Sequence, residues 1–111
     1  MDAPAQDVDV VEVPDALRFE ARGTEGELLG IAEYQAMGTV VAFTHTEVPP
    51  EHGGRGIASR LIGDAMDLVR ASDRQVIPYC PYVRSWLTRH PDYLDLVVDP
   101  KTRATTRPSA T

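Results

Sequence analysis

The stretch "PPEHGGRGIASRL", Pro49 to Leu61, decides how this chain is read. Gly53, Gly54 and Gly56 fall within four positions of a chain that has eight glycines in 111 residues. Glycine loses more backbone entropy on folding than any other residue, so a cluster needs a cause: a tight turn, a bulky neighbour or a ligand pressed against bare backbone. Pro49 and Pro50 end the strand that runs into it, because proline cannot donate to a sheet ladder. Behind the glycines the periodicity becomes helical. Ile57, Leu61, Ile62, Ala65, Met66, Leu68 and Val69 recur on one face and Arg60, Asp64, Asp67 and Arg70 on the other, which predicts a helix from about Gly56 to Ala71. A glycine turn that opens a helix is a phosphate-binding layout. The first N–H groups of the helix point outward, and its dipole adds partial positive charge.

Ahead of the turn the pattern alternates. "ALRFEARG" puts Leu17, Phe19 and Ala21 on one side and Arg18, Glu20 and Arg22 on the other. "LLGIAEYQ" and "TVVAFTHTEV" read as two further strands, with turns at "TEGE" and "AMG", which together make an antiparallel meander. Residues 1–14 mix acidic residues with prolines, give a weak strand pattern at "VDVVEV" and read as a partly flexible segment.

Beyond the helix, "QVIPY" is a short apolar strand that should lie parallel to the third strand, since it follows a crossover helix. "CPYVRSWLTRH" reads as a second helix, with Pro81 at its first position and Val83, Trp86 and Leu87 on its apolar face. His90-Pro91 reads as a helix end, and "PDYLDLV" as a last strand or an extended docking segment. The tail, residues 99–111, is polar, punctuated by proline and expected to be disordered. The expected domain, residues 15–98, is α+β: an antiparallel three-stranded meander followed by helix, parallel strand and helix.

Composition narrows the partners. A 42% hydrophobic, 25% charged chain is ordinary for a soluble globular protein. No stretch approaches the roughly 18 to 20 apolar residues of a membrane span, so no membrane partner is expected. A net charge of −6 argues against nucleic acid, which needs a basic surface. The acidic start lacks the basic opening of a secretory signal, and a cytoplasmic location is expected. Cys80 is the single cysteine, and His45, His52 and His90 show no metal-ligand spacing. Neither a disulfide nor a metal is expected.

Three phosphate motifs compete for the glycine turn. The nucleotide P-loop needs a lysine and a spacing that are not here. The dinucleotide fingerprint GxGxxG is nearly met by Gly54 to Ser59, but serine replaces its third glycine and a meander precedes it. "VPPEHGGRGIASRLI" instead resembles motif A of the GNAT superfamily of acyl-CoA-dependent N-acetyltransferases, V-x-P-x-x-[QR]-G-x-G-[IL]-[GA]. Val48, Pro50, Gly54, Gly56, Ile57 and Ala58 fall on that pattern, while Gly53 stands where the family has Gln or Arg. Arg55 or Arg60 could supply charge nearby. "THTEVPPEHGGRGIASRL" followed by "VIPYCPYVRSWLTRHPDY" resembles the small, minimal GNAT subfamily of N-acetyltransferase-domain-containing proteins, and the likeness runs from about Leu17 to Val97.

The resemblance implies acetyl-CoA as donor and an amine as acceptor. It implies that the Val48 backbone pairs with the pantetheine arm and that the acetyl carbonyl sits near Thr46 and Glu47. The pyrophosphate would be held by amides of Gly54, Arg55, Gly56, Ile57 and Ala58 and by the Ser59 hydroxyl, with Gly53, Cys80 and Tyr82 also among the cofactor-binding residues. Acyl transfer to an amine needs a base. Strict alternation places Phe43, His45 and Glu47 on one strand face and Thr44, Thr46 and Val48 on the other, which makes His45 and Glu47 the candidate bases or else an exposed polar pair. A neutral histidine suits the task near pH 7, whereas a glutamate would need burial.

Cys80, expected to cap the second helix, has three readings: acyl acceptor, proton donor to the leaving thiolate, or buried packing. Larger members of the superfamily place a tyrosine acid seven residues further on, where this chain has Leu87; Tyr79 and Tyr82 are other candidates. Those members also insert helices between their first two strands. Here only "TEGE" intervenes, so the acceptor side should be open. The rival functions are an acyl-CoA-binding module without turnover and a protein-interaction domain.

Overall fold

The alternation in the sequence becomes sheet register. The computed structural model describes residues 8–53 and 56–98. Five strands lie side by side in chain order: β1 (Asp9–Val13), β2 (Arg18–Arg22), β3 (Leu28–Met37), β4 (Val40–Glu47) and β5 (Gln75–Pro78). The first four pair antiparallel, and β5 pairs parallel to β4 after the crossover helix α1 (Ile57–Ala71). Helix α2 (Pro81–Arg89) follows, with Pro81 at its first position. This is the expected α+β order with one strand added.

The added strand is β1, built from "VDVVEV" and paired to β2 from Asp9↔Arg22 to Val13↔Arg18. The meander therefore has four strands. The first two are joined by the 3-10 turn Pro14–Ala16, not by "TEGE", and both connections are short. β3 also runs on through Met37, so its hairpin turns at Gly38-Thr39 instead of at "AMG". "PDYLDL" is a 3-10 helix, Pro91–Leu96, after which Val97 forms an isolated parallel bridge to Val76. Residues 1–7 and 99–111, the outer parts of the expected flexible start and disordered tail, lie outside the described residues. No helix among the described residues is long and apolar enough to cross a membrane.

Both helices cover the same face of the sheet. Phe19, Ala21, Ala32, Tyr34, Val41 and Phe43 meet Ile57, Leu61, Ile62, Ala65, Met66 and Val69 of α1 and Val83, Trp86 and Leu87 of α2. The period of 3.6 in α1 and of two in β2 thus point at one core. Arg18, Glu20 and Arg22 occupy the helix-free face. Glu20 is only 3% exposed there. Burial alone would raise its carboxyl, but hydrogen bonds from Arg18 and Arg22 overcome this and hold it below the usual carboxylate range.

The Arg-His-Pro-x-Tyr segment closes the structure. His90 stacks on Trp86, with ring centroids 3.9 Å apart, and its Nδ1 donates to the Trp86 carbonyl over 2.8 Å. Tyr93 donates its hydroxyl to Asp67 on α1 (2.8 Å), and Arg70 reaches Asp95 and the Asp92 carbonyl. His90-Pro91 ends α2, as expected, and the residues after it bind the chain to α1.

Edge strand β1 is tied down by charge. Arg74, in the turn between α1 and β5, makes two hydrogen bonds to Glu12, of 2.9 and 2.8 Å, and Tyr34 donates to the same carboxylate at 2.5 Å. The Arg74 hydrogen bonds hold the Glu12 carboxyl below its ordinary value, against a smaller upward push from burial. Burial and then the bond to Glu12 push the Tyr34 phenol up to about 12. Glu12 is stabilising when ionised, so its contribution is present above the unfolded carboxyl pKa and lost as pH falls through the lower folded one. Tyr34 is stabilising when neutral, so its contribution is present below about 10 and lost as pH rises through the folded value. Glu12→Gln should therefore cost about 1–3 kcal/mol near pH 7. In paired denaturant melts its deficit against the parent should shrink at both acidic and strongly alkaline pH. A deficit that stays constant across pH would show that the tie contributes nothing through charge.

Candidate functional site

The site forms where one strand outruns its neighbour. β5 pairs with β4 only from Val40↔Gln75 to Phe43↔Pro78, and the Cys80 N–H bonds the Phe43 carbonyl at 3.0 Å. Thr44 to Glu47 continue past that point, and His45, Thr46 and Glu47 are still paired with β3 on their other side. The strands therefore part after Phe43, and a cleft opens between β4 and the start of α2.

A bulge sets what faces the cleft. Pairing with β3 steps from Tyr34↔Phe43 to Glu33↔His45, which leaves Thr44 as the extra residue. One extra residue reverses the faces of everything beyond it. Phe43 points into the core, as do Thr46 and Val48 beyond the bulge, while His45 and Glu47 lie on the helix-free side. The grouping of Phe43 with His45 and Glu47, expected from strict alternation, is corrected by the bulge.

On the helix side, Thr46 Oγ1 and Cys80 Sγ are 3.4 Å apart and share a hydrogen bond across the parted strands. Cys80 is the N-cap residue of α2, as expected, and its thiol is buried. Next to this pair an open recess of about 230 Å³ is lined by Val48, His52, Gly53, Gly56, Ile57, Ala58, Ser59 and Tyr82. Gly56 precedes α1 with φ of 76°, in the left-handed region that a side chain makes costly. Among the described residues no side chain caps α1, and its first turn carries no acidic residue. The first backbone bond of the helix is Arg60 N–H to the Gly56 carbonyl, so the amides of Ile57, Ala58 and Ser59 precede the helical ladder. Bare N–H groups at a positive helix end suit a phosphate-type anion.

The remaining members of this region differ in standing. Ser59 accepts a 3.0 Å hydrogen bond from the buried indole of Trp86, which fixes its oxygen and leaves its own proton to donate. Arg60, expected as a possible charge in place of the Gln or Arg, forms an ion pair with Asp64 at 2.6 Å. Gly54 and Arg55 lie outside the described residues. Leu87 is buried in the core, and Tyr79 is exposed.

On the helix-free side, His45 Nε2 lies 3.2 Å from Glu47 Oε1. An ionised carboxylate can only accept, so Nε2 donates and Nδ1 keeps the lone pair that can take a proton. Both side chains are exposed, 54% and 64%. A second recess, of about 130 Å³, is lined by Arg18, Leu28, Gly30, Ile31, Glu47 and Pro49. Gly30 is needed here: a Cβ on it would come within 3.0 Å of Val48 Cγ2 and 3.2 Å of the Glu47 carbonyl. Its bareness lets β4 press close to β3, so that Glu47 lines one recess and its neighbour Val48 the other.

The structure thus brings together Thr46 with Cys80, and Val48 with Gly53, Gly56, Ile57, Ala58, Ser59 and Tyr82. It sets His45 and Glu47 on the far side of the same strand. Sequence reasoning missed His52 in the first recess, the hold of Trp86 on Ser59, and the whole second recess. Trp86 falls three residues after Val83 on an apolar stripe, and nothing in that spacing shows where its N–H points.

Known proteins resemble this chain. A family model described as GCN5-related N-acetyl-transferase matches residues 18–96. Protein NATD1 of Danio rerio is 29% identical over 109 residues, which span 86% of this chain and 98% of that protein. Protein NATD1 of Gallus gallus is 36% identical over 52 residues, 47% of each chain. Among solved structures, a GCN5-like protein from Staphylococcus aureus, determined by NMR, superposes with a TM-score of 0.62 at 19% identity, over 84% of this chain and 90% of that one, a likeness of fold. The chain belongs to the GCN5-related N-acetyltransferase family.

Proposed function

We propose that the protein is an acetyl-CoA-dependent N-acetyltransferase, with the thioester on the helix side of β4 and the amine on the other. The observation that carries this reading is the recess beside Gly56, where uncapped amides of α1 adjoin the unpaired edge of β4. When bound, acetyl-CoA supplies an acetyl group on a thioester. The amides of Ile57 and Ala58 and the hydroxyl of Ser59 are suited to its diphosphate. The free edge of β4 and the Val48 backbone offer hydrogen bonds to its amide-bearing arm, as an added strand would.

His45 serves as the base. With Nε2 held by Glu47, its Nδ1 takes the proton of the acceptor ammonium. The freed amine attacks the thioester carbonyl, a C–N bond forms, the C–S bond breaks, and the departing thiolate takes a proton. Cys80, hydrogen-bonded to Thr46, stands on that side and can give this proton, taking in turn the one that the new amide nitrogen sheds. Burial and the bond to Thr46 favour this role for Cys80 over that of acyl acceptor. Binding without turnover is the second reading, and the exposure of His45 and Glu47 favours it.

Calorimetric titration and thiol release test the two in turn. Acetyl-CoA should bind in the micromolar range, and Gly56→Asp should weaken it about tenfold or more by placing a carboxylate against the diphosphate. Gly56→Ala should lower stability by about 1–2 kcal/mol and Gly56→Asn by less, because asparagine tolerates the left-handed region. Binding by Gly56→Asp as tight as in the parent would remove this recess as the cofactor site.

With an accepted amine, His45→Ala should lower kcat about a hundredfold without changing acetyl-CoA affinity. Cys80→Ser should retain more activity than Cys80→Ala. Full turnover in both cysteine variants would exclude Cys80 from the mechanism.

A further inference from the structure

Three residues on the helix-free face are buried with no described element over them. Val40 and Ala42 of β4 are 1% exposed and Ile77 of β5 is 5% exposed, yet both helices pack on the opposite face. Their cross-strand neighbours Gln35, Met37 and Gln75 are exposed. Among the described residues, Val98 is the apolar side chain packed on this cluster from beyond the strands. A sheet face left open is normally polar and solvated, so the cluster marks a covered place. We propose that residues 99–111 dock across this face, with Lys101 and Arg103 against the carboxylates of Glu33 and Glu47. The inference does not depend on the acyl-transfer reading above.

The direction of the chain at Val98 supports this. Val97 bridges Val76 in parallel, and the Val98 N–H bonds the Val76 carbonyl at 2.9 Å. The chain therefore runs along the outer edge of β5 toward the end where β4 and β5 part. That pairing has no next rung. Pro78 has no N–H for the Val98 carbonyl, and Pro100 has none for the Pro78 carbonyl, which accepts from Arg84 at 3.2 Å. The edge cannot hold the segment, and Val98 already sets its side chain on the helix-free cluster. Seen from Val98, β4 is two strand spacings away, roughly 10 Å, with His45 roughly 10 Å further along it. The five residues from Val98 to Arg103 span up to about 17 Å, enough to bring Lys101 and Arg103 to that end of the face. β1, five spacings away at roughly 24 Å, is out of their range.

Charge selects the occupant. The chain has a net charge of −6, but residues 99–111 hold Lys101, Arg103 and Arg107 against the single acid Asp99. They are the basic piece of an acidic protein. On the face itself, Glu33 lies across from His45, and His45 is bonded to Glu47, so two carboxylates and one imidazole gather there. Arg18, across from Glu33 on β2, is bound to Glu20. A second copy of the domain would set acid against acid. The chain's own segment is of opposite sign and is tethered at an effective concentration in roughly the millimolar range. Docked in this way, it lies over the open side of β4 and has to move before another molecule reaches His45.

Lys101 is the only lysine of the chain, which makes the contact readable. Carbodiimide coupling joins an amine to a carboxylate that already touches it. Applied to the full chain at low salt and located by mass spectrometry, it should join Lys101 to Glu33 or Glu47, with a yield unchanged by dilution of about tenfold. Arg103→Glu combined with Arg107→Glu should lower that yield about fivefold and shift the amides of Glu33, His45, Glu47 and Ile77 in NMR spectra. Salt at about 0.5 M should move the parent's amides in the same direction, because it screens exposed charge pairs. The amides of Phe19 and Met66 should stay in place throughout, as the core is untouched. Coupling of Lys101 mainly to any other carboxylate, or no coupling at all, would overturn the proposal. A yield that falls with dilution would give the face to a second copy and overturn it too, as would unchanged spectra in the double variant.

Discussion

The parallel pairing of β5 with β4 ends four residues before β4 does, and the site is built on that difference in length. Pro78 ends β5 because it has no N–H to give, and Pro81 turns the chain into α2 three residues later. β4 does not end there, because β3 still pairs with it on the other side up to Glu47. The result is a strand that is satisfied along one edge and bare along the other. A bare edge is normally a liability in a sheet. Here it lies between a helix start whose first amides precede the helical ladder and a buried thiol.

The bulge at Thr44 turns that edge into a divided site. Without it, Phe43, His45 and Glu47 would share a face, and the His45 imidazole would point into the same core as the phenyl ring. With it, alternate residues beyond Thr44 fall on opposite sides of one strand: Thr46 and Val48 toward the helices, His45 and Glu47 toward the open face. Gly30 keeps the wall between the two sides thin, since a methyl group there would push against Val48 and the Glu47 carbonyl.

Local physics made part of this legible in advance. The period of α1, the capping position of Cys80 and the parallel direction of β5 all follow from spacing and chain order, and all are found. What escaped depends on contacts distant in sequence. β1 is half polar and scarcely patterned; its place is secured by the bond of Glu12 to Arg74, 62 residues away. The bulge leaves no mark, because Thr44 suits a regular strand as well as an irregular one. Leu17 continues the alternation of β2 on paper but adopts φ of 54° and is partly exposed, closing the 3-10 turn instead of joining the core. The second recess draws on β2, β3 and the end of β4, so no single stretch announces it.

The "RHPDY" block is conspicuous in the sequence, yet its work here is mechanical. A domain this small has few elements with which to hold α2 in place. Trp86 fills the gap between the helices, donates to Ser59 on α1 and receives His90 against its ring, while Tyr93 and Arg70 fasten the following turn to the other end of α1. The first turn of α1 and the N-cap of α2 are thereby held in one fixed relation. Those are the two places where the amides and the thiol stand. A segment that touches neither recess except through Ser59 thus sets the span between them, and a substitution at His90 or Tyr93 reaches the site only by loosening that span.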